Sequence, residues 1–139
     1  MIPLPPSSWS DLVNGTQPCV RFFPPADPQV SVSISRDLDS SITAREVTAV
    51  KEWLQSGQPL HSMRDHPFHC VPLLGGTWGL NVTVDTIRQQ WGKSLQNIME
   101  DPLNKLGAQG AINGPDQDLL EKWIWPWGQL QAMEHDSYW

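Results

Sequence analysis

The chain has 139 residues, with 9 Lys and Arg against 15 Asp and Glu, a net charge of -6. That length suits one domain with its own core, and an acidic balance without any basic run excludes a protein built to grip nucleic acid, where phosphate neutralisation supplies the affinity. No stretch approaches the roughly 20 apolar residues of a membrane span, and Met1 to Ser10 has neither the basic end nor the apolar stretch of a signal peptide, so the expectation is no membrane span and a cytoplasmic location by default.

Seven prolines, Pro3, Pro5, Pro6, Pro18, Pro24, Pro25 and Pro28, make residues 1–29 an extended proline-rich arm with limited regular structure. The rest, 30–139, reads as one α/β domain. Val30 to Ile34 alternates apolar and polar residues, as an inner strand would, and runs into Ser35-Arg36-Asp37-Leu38-Asp39-Ser40. Carboxylates one residue apart point to opposite faces of a strand, so Asp37 and Asp39 can meet one ligand only where the strand ends and the backbone turns. Oxygen ligands of this kind suit Mg2+ or Mn2+. A solvated acidic turn is the alternative.

Thr43-Ala44-Arg45-Glu46 forms a capping box that opens a helix over Thr43 to Ser56. Val47, Val50 and Leu54 provide its apolar stripe, and Gly57 supplies a left-handed stop. Leu60 to Met63 reads as a short strand and Arg64 to Pro67 as a turn. Val71 to Leu74 predicts a further strand leading into Gly75-Gly76-Thr77-Trp78-Gly79, where the glycines permit close approach of the backbone to another strand or a ligand. The spacing of Ile87, Trp91, Leu95 and Ile98 predicts a helix from Val84 to Met99, followed by a polar loop from Glu100 to Asn113. Pro115 suits the first turn of another helix, with Leu119, Leu120, Trp123 and Ile124 inward, and Pro126 ends it. Leu130 to Trp139 is a final strand or loop carrying His135 and Asp136.

Cys19 and Cys70 lack the Cys-x-x-Cys spacing of common zinc and redox motifs. The eight tryptophans suit core packing, although the alternation of Trp123, Trp125 and Trp127 also fits stacking on sugars. Asn14 and Asn81 sit in glycosylation sequons, which matter only in a secreted chain.

The order Asp37-x-Asp39, Gly75 to Gly79, Asp116-Gln117-Asp118 and His135-Asp136 resembles the metal-dependent glycosyltransferases of the GT-A fold. It is more similar still to a group of uncharacterised glycosyltransferase-like proteins, through Ser35 to Ser40, Arg45 to Gly57, His61 to His69, Leu74 to Gly79, Asp116 to Leu119 and His135 to Tyr138. The resemblance implies a partial GT-A-like mixed sheet with flanking helices, a nucleotide-sugar donor, and a glycan or other acceptor. Carried onto this chain, Asp37, Asp39 and His135 become ligands of Mn2+ or Mg2+, which would offset charge on a departing diphosphate. Asp116 and Gln117 become the catalytic pair that hydrogen-bonds sugar hydroxyls. Arg36, Arg64, Gly75, Gly76, Thr77 and Trp78 become substrate-binding residues, Arg64 meeting a phosphate as a fork of donors.

Each role has a structural alternative. Arg64 also reads as an ion-pair partner of Asp65, Asp116 as a helix-terminal charge, and His66 and His69 as loop residues that bind nothing. Against the GT-A pattern, the chain reads as the acceptor-side (C-terminal) half, with the nucleotide-binding half missing or supplied by another chain, so little transfer is expected from it alone. Two further classes compete. A haloacid-dehalogenase phosphatase would use Asp37 as nucleophile and Asp39 as acid and base, and a carbohydrate-binding or structural remnant would have no chemistry at all.

Overall fold

The structure is a computed structural model, and it describes residues 21–64, 71–103 and 115–136. His66, His69, Cys19 and Cys70 lie outside the described residues. Four strands, β1 (Val32–Arg36), β2 (Leu60–Arg64), β3 (Thr77–Asn81) and β4 (Ala132–Asp136), form one mixed sheet in the order β1-β3-β2-β4. Pairing is antiparallel for β1 with β3 and for β3 with β2, and parallel for β2 with β4. The fold is therefore mixed α/β, as expected. β1 is an edge strand of this sheet, not the inner strand its alternation predicted, because a half-buried strand shows the same period wherever it sits.

Helix α1 (Ala44–Ser56) starts and stops where its local chemistry dictates. Thr43 Oγ1 accepts from the Glu46 amide at 3.2 Å, and Gly57 takes φ 74°. Its buried row is Glu46, Ala49 and Trp53; of the expected stripe Val50 is half-buried, whereas Val47 and Leu54 are exposed, so the buried face is rotated from the one expected. Glu46 can turn inward because Arg36 on β1 meets its carboxylate at 2.8 Å. Trp53 lies flat on His61 of β2, with ring centroids 5.1 Å apart. A Cβ on Gly79 would stand 2.7 Å from the Trp53 ring, so this glycine serves the approach of helix to sheet.

The other face of the sheet carries the main core. Leu60, Trp78 and Leu80 pack there against Ile87, Trp91, Leu95 and Ile98 of α2 (Asp85–Glu100), the face that the spacing predicted. Phe22 and Phe23 belong to the same core. The expected arm is thus integrated from Arg21 onward, where Pro24–Ala26 forms a single 3-10 turn. Two predicted features give way to tertiary contacts. Val71 to Leu74 is not a strand; Leu73 O is held by the Gln117 side chain and Pro72 O by Arg64. Nor does Pro126 end the last helix. α3 (Pro115–Leu119) widens into a π-helical turn, Leu120–Ile124, and Trp125–Gly128 continues it. Pro126 falls in the first turn of that continuation, just after the π-helical turn, the position in a helical segment that proline tolerates best. Leu119, Leu120 and Ile124 are fully buried, and Trp123 packs at the rim of the core. Among the described residues no helix is long and apolar enough to cross a membrane.

Candidate functional site

A cleft of about 480 Å³ opens where β1 ends and β3 begins, lined by Arg21, Arg36, Asp37, Ser40, Met63, Leu74, Gly75, Gly76, Thr77, Asp116 and Gln117. Three separate elements build it. The turn after β1 presents Asp37, with the Ser40 amide donating to Asp37 O at 3.4 Å. The loop before β3 contributes Gly75 and Gly76, closed by a bond from the Thr77 amide to Leu74 O at 3.0 Å. The first turn of α3 brings Asp116 and Gln117.

Gly75 and Gly76 are small for the sake of the carboxylates beside them. A Cβ on Gly76 would lie 2.2 Å from Asp37 Oδ2, and one on Gly75 3.0 Å from Asp116 Oδ2. Arg21 joins the two acids, its Nη2 2.8 Å from Asp37 Oδ1 and its Nε 3.5 Å from Asp116 Oδ2, while Nη1 donates to Gly75 O. Gln117 is spent on the loop itself. Its Oε1 accepts from the Gly75 amide at 2.8 Å, and its Nε2 donates to Leu73 O. In this arrangement Gln117 holds the cleft wall, and Asp116 is the member of the expected catalytic pair that faces Arg21.

The expected metal ligands do not meet. Asp39 is exposed beyond the turn. His135 lies in β4, at the opposite edge of the sheet from β1, three strand spacings or about 14 Å away. There its Nδ1 is 2.9 Å from His61 Nε2, and its Nε2 is 2.8 Å from Glu52 Oε2. Both ring nitrogens are engaged, in a chain that runs from buried His61 through buried His135 to the exposed Glu52. His61 has its pKa lowered from 6.5 to about 4, chiefly by burial and then by the charge His135 can carry. Among the described residues no group of three or more His, Cys, Asp and Glu is arranged to hold a metal ion.

Arg64 and Trp78 also lie away from the cleft. Arg64 ties β2 to β4 through Glu134 at 2.7 Å and reaches Ser62 Oγ at 2.9 Å. Trp78 is buried against Phe22 and Trp91. Arg36, Gly75, Gly76 and Thr77 do line the cleft. Arg21 is the site residue that sequence reasoning missed. Its only local sign was a lone cation beside the apolar pair Phe22-Phe23, which anchors it.

The chemistry available is hydrogen bonding by paired charges. Carboxylate oxygens accept and guanidinium groups donate, a set that matches neighbouring hydroxyls on a polar ligand. No protein-family model, curated protein or solved structure matches the chain.

Proposed function

We propose that the cleft is the sugar-binding site of a glycosyltransferase-like protein that takes a nucleotide-sugar donor and a hydroxyl-bearing acceptor such as a glycan. One observation carries this reading: Asp37, Gly75, Gly76 and Asp116, drawn from distant motifs, line a single polar cleft together with Arg21. Asp37 and Asp116 offer acceptors to sugar hydroxyls, and Arg21 and Arg36 offer donors. Asp116 is the group placed to take a proton from an acceptor hydroxyl. The resemblance behind this reading brings Mn2+ or Mg2+ with it, but Asp37, Asp39 and His135 do not fit that ion as a set, and no step is assigned to it. The phosphatase alternative gains no support, since among the described residues no lysine lines the cleft.

Ligand-observed NMR with a panel of nucleotide-sugars tests the reading, with mass spectrometry to follow transfer. The expected result is binding of at least one donor, lost in Asp37→Ala and Asp116→Asn. Absence of binding across the panel, or binding indifferent to both substitutions, would sink it.

A further inference from the structure

We infer that Arg21 is the resident cation of the cleft, holding Asp37 and Asp116 as a pair so that the site takes its ligand without a divalent metal. The inference rests on the sugar-site reading for the identity of the ligand, but its geometry stands apart from that reading. Two carboxylates lining one cleft repel each other unless a positive charge lies between them. Arg21 supplies it, at 2.8 Å from Asp37 and 3.5 Å from Asp116, and adds a bond to Gly75 O. A guanidinium stays charged across the whole physiological pH range.

The charge is delivered by a fixed part of the chain. Phe22, the next residue, is fully buried between Trp78 and Trp91, with ring centroids at 6.0 and 6.2 Å, and its carbonyl accepts from Trp91 Nε1 at 3.1 Å. A tethered cation acts at an effective concentration in the millimolar range or above, so a free ion must bind tightly enough to compete with it. A metal reaching Asp37 would also have to displace the Arg21 Nη2 contact with its carboxylate. It would find little in exchange, because Mg2+ and Mn2+ want several oxygen ligands, Asp39 is not among the residues that line the cleft, and His135 is held by Glu52 and His61.

Manganese titration calorimetry on the full chain, Asp37→Asn, Arg21→Gln and the double variant tests this. Wild type and Asp37→Asn should bind manganese alike. Arg21→Gln should bind at least about tenfold tighter than wild type, the gain vanishing when Asp37→Asn is added. Weaker binding by Asp37→Asn than by wild type overturns the inference, as does an Arg21→Gln variant that folds and gains nothing. If Arg21→Gln fails to fold, the comparison of wild type with Asp37→Asn decides alone. A second readout is nucleotide-sugar binding by NMR in chelator and in manganese. Equal binding is expected, and a manganese requirement overturns the inference. If no nucleotide-sugar binds in either buffer, the sugar-site reading fails, while the manganese titrations still decide the role of Arg21.

Discussion

At the scale of single residues, the two ends of the Gly75 to Gly79 segment use glycine for different partners. Gly76 leaves room for the half-exposed Asp37 carboxylate, which Arg21 holds at 2.8 Å, whereas Gly79 leaves room for Trp53, a fully buried ring. His61 lies under that ring and, among the described residues, carries a marked pH signature. Its folded pKa of about 4 lies below the unfolded 6.5, chiefly because burial disfavours the imidazolium, and then because His135 adjoins it. Above pH 6.5 both states are neutral and the full stability is present. As pH falls from 6.5 towards 4 the unfolded chain takes up a proton that the native chain refuses, so stability is lost through this window, by up to about 3 kcal/mol. Below it both states are protonated and the loss levels off. Urea unfolding at intervals from pH 7 to 4 should show this fall in wild type and a flatter profile in His61→Gln. Equal slopes in the two proteins would remove His61 as the cause.

At the scale of elements, α1 shows what local sequence encodes and what it leaves to tertiary contact. Replacing Trp53 by Ala should destabilise the protein by about 3–5 kcal/mol, since the ring fills the space between α1, His61 and Gly79. Leu54→Ala should cost less than about 1 kcal/mol, because Leu54 is 43% exposed. Chemical denaturation midpoints of the two variants give the comparison, and equal losses would mean that the helix face is misplaced. The ends of α1 were legible because the Thr43 cap on the Glu46 amide and the Gly57 stop are local, although the Glu46 carboxylate of the expected capping box goes to Arg36. Its buried face was not, because it hides a Glu46 that only Arg36 on a neighbouring strand makes tolerable. For the same reason Val71 to Leu74 looked like a strand: nothing nearby in sequence announces the hold of Gln117 on Leu73. Of the cleft, Asp37, Gly75, Gly76 and Asp116 were readable as motifs. Arg21 was not, since its meaning comes from two carboxylates that only the fold brings to it.

At the scale of the whole molecule, the two edges of the sheet differ in how they are protected. β4 carries Glu134 and Asp136 in its second half, and charges of this kind discourage pairing with a foreign strand. β1 carries Val32, Ser33, Ile34 and Ser35 before its single charge at Arg36, and among the described residues it pairs with β3 alone. Beside it runs an apolar groove of about 470 Å³ lined by Ile34, Ile42, Val47 and Val50, with Arg36, Glu46 and Lys51 at its borders. Ile34 is 46% exposed and Ile42 70%, so this surface joins open backbone hydrogen-bonding groups to uncovered side chains. Another β1 satisfies both needs at once. Antiparallel pairing centred on Ile34 sets the Arg36 of each chain opposite the Val32 of the other, so no like charges meet. The expected outcome is a mass that rises with protein concentration in multi-angle light scattering, and a shift towards monomer on Ile34→Lys, which places a charge at the centre of the edge. Ile34 is nearly half exposed, so the variant should melt within a few degrees of wild type, separating lost association from lost folding. An Ile34→Lys protein that associates as wild type does would show that the β1 edge is not the surface through which copies meet.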